Sequence, residues 1–299
     1  MYFDIKNVKR HSKSSILFNK IDIRLSKTFY GNKTGFMRNV RGRQKIFTSL
    51  DESIKNTDPQ LYHTIIDGFS KFDNSYDDSL IKEIQNKFQN LIEDEKYSKP
   101  ISQLNNKTYL RMINQPYKIF PEISKLITND VLSFLKKYYK SNFTISHIQC
   151  HRNYFVPENI RKEHEMFSNF WHFDLDPVSQ IKYFVYISDV TENDGPFTVQ
   201  SISRTKELIG KGFGNRSDYH LPSTIMEDPT HVKKMIGPAG TSFFGRPSAC
   251  IHRAGDPQEN HYRDAITFTI DSSDNKIQNN WMEYVKPHHS ENLDYNTQK

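Results

Sequence analysis

Trp171-His172-Phe173-Asp174 and, further along the chain, Ile251-His252-Arg253-Ala254-Gly255 are the two stretches from which the rest of the sequence is best read. On a strand or its edge, residues i and i+2 point to the same side, so His172 and Asp174 present an imidazole and a carboxylate together. His252 lies 78 residues after Asp174, between two β-rich segments. Two histidines and one carboxylate on one face form the facial triad that holds non-haem Fe(II) and leaves positions open for further ligands. Eleven residues beyond His252, Arg263 stands on the approach to a predicted strand, Ala265–Ile270. A planar guanidinium there can grip a carboxylate through two parallel hydrogen bonds, which suits the distal end of 2-oxoglutarate. An HxD tripeptide alone arises often by chance; here its order and β-rich context agree with the second histidine and the arginine.

Short β-rich runs surround these motifs: Phe143–Gln149, Ile181–Ser188, Phe197–Ser201, Thr241–Phe244 and Ala265–Asp271. Turn signals separate them, among them Asn193-Asp194-Gly195-Pro196, Gly237-Pro238 and Gly245-Arg246-Pro247. Many short strands without intervening helices imply a sandwich or barrel. Upstream the period changes. Between Asp77 and Lys96, Leu80, Ile81, Ile84, Phe88, Leu91 and Ile92 recur at steps of three and four, as do Val131, Leu132, Leu135, Tyr138 and Tyr139 between Asn129 and Lys140. Both patterns predict amphipathic helices with core-facing stripes, the second capped by Thr128 or Asn129. The 204–240 stretch shows little periodicity and several glycines, and is expected to be a lid or insertion. The tail after Asp271 is polar, with Trp281 and Tyr284 as expected docking points.

The expected architecture is therefore α+β, with a helical N-terminal half packed on a β-barrel-like C-terminal half. It is read as a single domain over 1–299: a basic leader and helical support region over 1–140, a β-rich core over 141–271 and a polar tail over 272–299. The 299 residues are 35% hydrophobic, 25% charged and 13% aromatic, a globular composition that excludes a disordered or fibrous chain. No run of about 18 apolar residues encodes a membrane helix. Two cysteines, Cys150 and Cys250, are too few for a disulfide scaffold, and neither has neighbours that suggest a nucleophile; a soluble, cytoplasmic protein of a reducing compartment is expected. The net charge of +6 is unevenly spread, with twelve Lys/Arg against two Asp/Glu in residues 1–50 and six against eleven in residues 51–100. A basic leading segment attracts anions. Its plain reading is a solvated face, or an arm folded over the acidic segment that follows.

On these residues the chain resembles the phytanoyl-CoA dioxygenase-like branch of the Fe(II)/2-oxoglutarate-dependent oxygenases, roughly over Phe143–Asp271. The resemblance implies that the barrel is a double-stranded β-helix, a jelly-roll or cupin-like fold, and that 1–299 is a single oxygenase domain with its catalytic core over 141–271. Trp171–Asp174 is similar to the family's first metal motif, and Asp194-Gly195-Pro196-Phe197 to its "NGP plus apolar" turn. Gly237–Phe244 is similar to the turn and strand preceding the second metal histidine, and His252 with Arg263 to the distal histidine and co-substrate arginine. Two departures touch the substrate side. Where family members continue into a "PGSH" segment, this chain reads Gln200-Ser201-Ile202-Ser203-Arg204, and the position two after the distal histidine is Ala254 rather than a small hydroxyl residue. Retention of Asp174 disfavours the related halogenases, which replace that carboxylate with a small residue.

The resemblance implies that His172, Asp174 and His252 hold Fe(II), that 2-oxoglutarate chelates the iron while Arg263 pairs its other carboxylate, and that a small-molecule substrate is hydroxylated by O2 with release of succinate and CO2. The basic balance tilts the substrate toward an anionic metabolite. Gln149 points to the same side of its strand as His147 and His151, where a polar group can hydrogen-bond the co-substrate; the two histidines are read as packed or surface residues. His164, His220 and His231 are expected to be exposed, Arg246 to be a surface arginine, and His288-His289 to be exposed tail. Two other readings compete. A cupin-like metal enzyme without 2-oxoglutarate would have no need of Arg263. A basic module holding nucleic acid or another anion through residues 1–50 is disfavoured, because the sequence lacks the aromatic motif of an RRM and the Cys/His spacing of zinc fingers.

Overall fold

The computed structural model describes residues 3–4, 53–72, 76–140, 142–174, 176, 179–213, 221–273 and 275–287. The basic leader, apart from Phe3–Asp4, and His220 and His288-His289 lie outside the described residues. Along the chain the strands are β1 (Phe3–Asp4), β2 (Phe69–Phe72), β3 (Ser98–Leu104), β4 (Lys107–Ile113), β5 (Phe143–Tyr154) and β6 (His164–Glu165). They continue as β7 (Ile181–Tyr186), β8 (Phe197–Gln200), β9 (Val232–Lys234), β10 (Ser242–Gly245), β11 (His252–Ala254) and β12 (Tyr262–Ser272). The helices that shape the core are α1 (Pro59–Ile66), α2 (Asp78–Glu93), α3 (Asn129–Tyr139) and α4 (Ile202–Gly210).

Seven antiparallel strands form one sheet in the order β2-β10-β7-β12-β5-β4-β3, and three form a second in the order β11-β8-β9. Helices α2 and α3 cover the outer face of the large sheet. Helix α2 begins where Asp77 Oδ1 accepts the Ser79 N–H at 2.7 Å, and its three- and four-residue steps bury Ile81, Ile84, Phe88, Leu91 and Ile92. Helix α3 is capped by Thr128 Oγ1, which accepts the Val131 N–H at 3.3 Å. It ends at Lys140 in the left-handed region, φ 49°. Its Phe134 stacks on Phe244 of β10 with centroids 4.1 Å apart, and Phe72 of β2 meets the same ring edge-on at 5.1 Å. Tyr139 OH donates to the Ile270 carbonyl at 2.7 Å, fastening α3 to β12.

Alternation along the strands sends the other side chains inward. Phe184 of β7 and Phe243 of β10 stack at 4.7 Å, and Phe197 of β8 reaches both rings from the small sheet at 4.9 and 5.4 Å. This aromatic layer joins the two sheets. On the far side of the small sheet a further apolar cluster, including Trp171, Leu208 of α4, Phe213 and Ile251, closes the molecule.

The five predicted strands and two predicted helices all form, with boundaries moved by a few residues. The N-terminal half is not purely helical as expected: β2, β3 and β4 come from it and lengthen the large sheet. The β3–β4 hairpin turns on Asn105 and Asn106, both with positive φ (51° and 62°). Register shifts around Ser102 break the alternation of β3, which hides the strand from a period-two reading. The expected lid over 204–240 opens instead with the ordered helix α4, begun by Ser201 accepting the Arg204 N–H and burying Leu208 and Ile209. In the tail, Trp281 meets Phe268 at 6.4 Å, whereas Tyr284 is 59% exposed and Val285 takes the buried place. Among the described residues no helix is long and apolar enough to cross a membrane.

Because Phe244 joins β2, β10 and α3, Phe244→Ala should lower the unfolding free energy by about 3–5 kcal/mol in urea denaturation. A loss below about 1 kcal/mol would mean that the helices and sheet are not joined through this ring.

Candidate metal centre

His172 and His252 come together through the backbone. The His172 N–H donates to the His252 carbonyl at 2.9 Å and the His252 N–H to the His172 carbonyl at 2.7 Å, a single antiparallel bridge. Strand β11 is itself paired with β8, His252 opposite Val199, so the bridge docks the Trp171–Asp174 segment onto the small sheet. A further bond from the Asp174 N–H to the Pro247 carbonyl at 3.0 Å fixes the turn that carries the carboxylate.

The result is a cluster of donor atoms. Asp174 Oδ1 lies 3.6 Å from His172 Nε2 and 3.8 Å from His252 Nε2, and one ligand atom from each of the three residues falls within 4.8 Å of the others. Each ring is oriented through its other nitrogen: His172 Nδ1 is 2.8 Å from the Phe170 carbonyl and His252 Nδ1 is 3.0 Å from the Cys250 carbonyl. A proton on Nδ1 satisfies each carbonyl and leaves both Nε2 lone pairs facing Asp174, the tautomer a metal requires. Burial, the neighbouring His172 and Lys182 push His252 down to about 3 despite Asp174, so its ring is neutral. For Asp174, burial would raise the pKa. The Lys182 ammonium, donating to Oδ2 at 2.7 Å, together with the two histidines outweighs that effect and holds the carboxyl well below the usual range. One ionised oxygen and two imidazole nitrogens therefore face a common point, a donor set that suits iron.

Arg263 sits at the other end of the inner face, 4% exposed. Its Nη1 donates to the Gly195 carbonyl and its Nη2 to Asn153 Oδ1 at 3.0 Å, both neutral acceptors. Burial lowers its pKa, a cost that an anionic ligand would offset. Gly195 has φ +65°, and a Cβ there would lie 2.5 Å from the Pro257 nitrogen and 2.6 Å from the Gly255 carbonyl oxygen. The Asp194-Gly195-Pro196 turn thus works by pressing a bare backbone against the 255–257 loop, which aims the Gly195 carbonyl at Arg263. Gln149 lies on the same inner face, paired with Thr267. His151, two residues on, is held neutral with a pKa near 3 by burial and by the nearby Arg263 and Lys182. His147 is at the far end of the row, its Nδ1 3.1 Å from the Lys286 carbonyl.

Other expectations fare differently. Arg246 is not a surface residue: at 2% exposure it donates from Nη1 to the Ile65 carbonyl at 2.8 Å, tying α1 to the end of β10. His231 is exposed as expected, while His164 is only 26% exposed and lies in β6, paired with Asp4. Cys150 and Cys250 are both buried, and neither forms a disulfide. Lys182 and Asn153 were invisible to the motif reading because their roles arise only from strand register: Lys182 pairs with Thr269, and Asn153 with Arg263.

No family model matches the chain, and no curated protein matches it. Solved structures do. The non-haem α-ketoglutarate-dependent epimerase SnoN from nogalamycin biosynthesis aligns with a TM-score of 0.54 at 13% identity, over 74% of this chain and 84% of its own. EctD from S. alaskensis, solved with 2-oxoglutarate and 5-hydroxyectoine, aligns at 0.53 and 12%, over 79% and 85%. HygX from Streptomyces hygroscopicus, solved with nickel, 2-oxoglutarate and hygromycin B, aligns at 0.51 and 12%, over 73% and 88%. The chain has the fold of these oxygenases. At such identities the likeness carries the fold alone and does not single out the phytanoyl-CoA dioxygenase-like branch.

Gly195→Val should cost about 1–3 kcal/mol of stability, read by urea unfolding, because a β-branched residue is strained at positive φ and collides with the 255–257 loop. A variant as stable as the parent would show that the close approach is not needed.

Proposed function

We propose that this protein is an Fe(II)/2-oxoglutarate-dependent dioxygenase that hydroxylates a small, anionic metabolite, and that its two facing sheets are the double-stranded β-helix of that superfamily. The observation that carries the reading is the convergence of His172 Nε2, His252 Nε2 and Asp174 Oδ1, with Arg263 buried on the same inner face. The donor chemistry fits iron: two imidazoles and one carboxylate whose second oxygen is already taken by Lys182.

In this reading His172, Asp174 and His252 hold Fe(II), and Arg263 and Gln149 hold 2-oxoglutarate. When bound, iron and 2-oxoglutarate supply the oxidising chemistry, with O2 consumed and succinate and CO2 released. The protein's own part is placement and exclusion. Both Nδ1 bonds keep the rings turned toward one point, the Phe184–Phe197–Phe243 layer walls one side against water, and Arg263 fixes the co-substrate through its distal carboxylate. The Lys182 and Arg263 cations support an anionic substrate as well as an anionic co-substrate. A buried arginine on the metal face favours this reading over a cupin-like enzyme that does not use 2-oxoglutarate. Two buried cysteines that form no disulfide accord with a reducing, cytoplasmic setting. One oxygenase domain accommodates both sheets and their covering helices.

The test compares two nearby acids. Asp174→Ala should abolish 2-oxoglutarate-dependent succinate formation, whereas Asp176→Ala, at an exposed position, should leave it near the parent rate. The reverse pattern would assign the metal to the wrong carboxylate.

A further inference from the structure

Strand β2 ends the large sheet and β9 ends the small one, and the seam between these two open edges holds a cavity of about 620 Å³. Lys71 stands opposite Phe243, and Lys233 stands opposite Val199, which is itself opposite His252. Directly paired residues share a face, so both lysines belong to the inner faces and sit where the sandwich opens sideways. The floor is apolar: Phe69 and the buried Met235 pack in one cluster with Phe197 and Phe243. That aromatic layer stands between the cavity and the triad, and neither a triad residue nor Arg263 lines it.

The charge of the cavity is unbalanced. Among the groups that line it, His63 is taken by Asp67 at 2.7 Å, Lys234 by Glu192, and His231 faces Asp228 at 3.9 Å. Lys71 donates to the Ile236 carbonyl at 2.8 Å, and among the described residues no carboxylate pairs with it or with Lys233. Two cations beside an apolar floor suit an anion carried on an apolar body, whose charge meets the lysines while its body covers Phe69 and Met235. The volume lies in the range of small-ligand sites, about 300–1,000 Å³. The Lys71–Ile236 bond favours a compact ligand over a polypeptide. It crosses the seam and divides this cavity from a neighbour of about 420 Å³ that Lys71 also lines, so an extended chain along the seam would have to break it.

We propose that the seam between β2 and β9 binds a small organic anion with an apolar body, held by Lys233 and Lys71 over Phe69 and Met235. The site is separate from the metal centre and does not depend on the oxygenase reading.

The test is calorimetric titration of the full-length protein with three probes: 2-naphthoate, which carries both charge and ring, 2-naphthol, the ring without the charge, and inorganic phosphate, the charge without the ring. The expected result is one saturable 2-naphthoate site, with the other two probes at least about tenfold weaker. Lys233→Glu reverses a charge at an exposed position, and Gln60→Trp fills the cavity from α1 without touching either lysine. Each should weaken 2-naphthoate by about tenfold. Lys82→Glu, the same reversal on the exposed side of α2, should bind like the parent. If Gln60→Trp does not fold, Lys233→Glu against Lys82→Glu carries the test. Parent-like binding by Lys233→Glu, an equal loss in Lys82→Glu, or displacement of 2-naphthoate by 2-oxoglutarate with Mn(II) would overturn the proposal.

Discussion

Two backbone hydrogen bonds between His172 and His252 are the constraint on which the site depends. Residues 80 positions apart are locked as opposite members of a single antiparallel bridge, and their rings stand 4.2 Å apart as a consequence. Once the bridge is set, Asp174 follows two residues later on the same side, and the Pro247 carbonyl fixes its backbone. The side-chain chemistry is thus positioned by main chain in a well-paired sheet, which is more rigid than a constellation carried on loops alone.

The electrostatics build on that frame. Asp174 uses one oxygen toward the imidazoles and surrenders the other to Lys182, so the carboxylate stays ionised in a buried place. Arg263 is buried with neutral hydrogen-bond partners and with the Asp256 carboxylate nearby, and Lys182 and Arg263 bracket a row of polar side chains. A buried cation carries a desolvation cost that an incoming anion would offset. The aromatic layer of Phe184, Phe197 and Phe243 lowers the polarity of the same space and strengthens those interactions.

Much of this was legible in residue order. The HxD spacing and the strand character around His252 placed both histidines and the carboxylate on one face, and the turn at Gly195-Pro196 was visible as a turn. The helical stripes of Asp78–Glu93 and Asn129–Tyr139 were plain in their periodicity. What escaped was everything set by register between distant strands: Lys182 reaching Asp174, Asn153 meeting Arg263, and Thr267 lying opposite Gln149. Arg246 was misjudged because its strand end is covered by α1, a packing that no local pattern announces. Strand β3 was missed because its register shifts remove the alternation by which strands are recognised.

The central claim is that the triad and Arg263 hold iron and 2-oxoglutarate at one site. An anaerobic titration of the apoprotein with Fe(II) and then 2-oxoglutarate, followed in the visible region, tests it most directly. The account predicts a metal-to-ligand charge-transfer band that appears only after both additions, weakens in Arg263→Ala and vanishes in His252→Ala. Iron binding without any band on addition of 2-oxoglutarate, or a band indifferent to both substitutions, would contradict it.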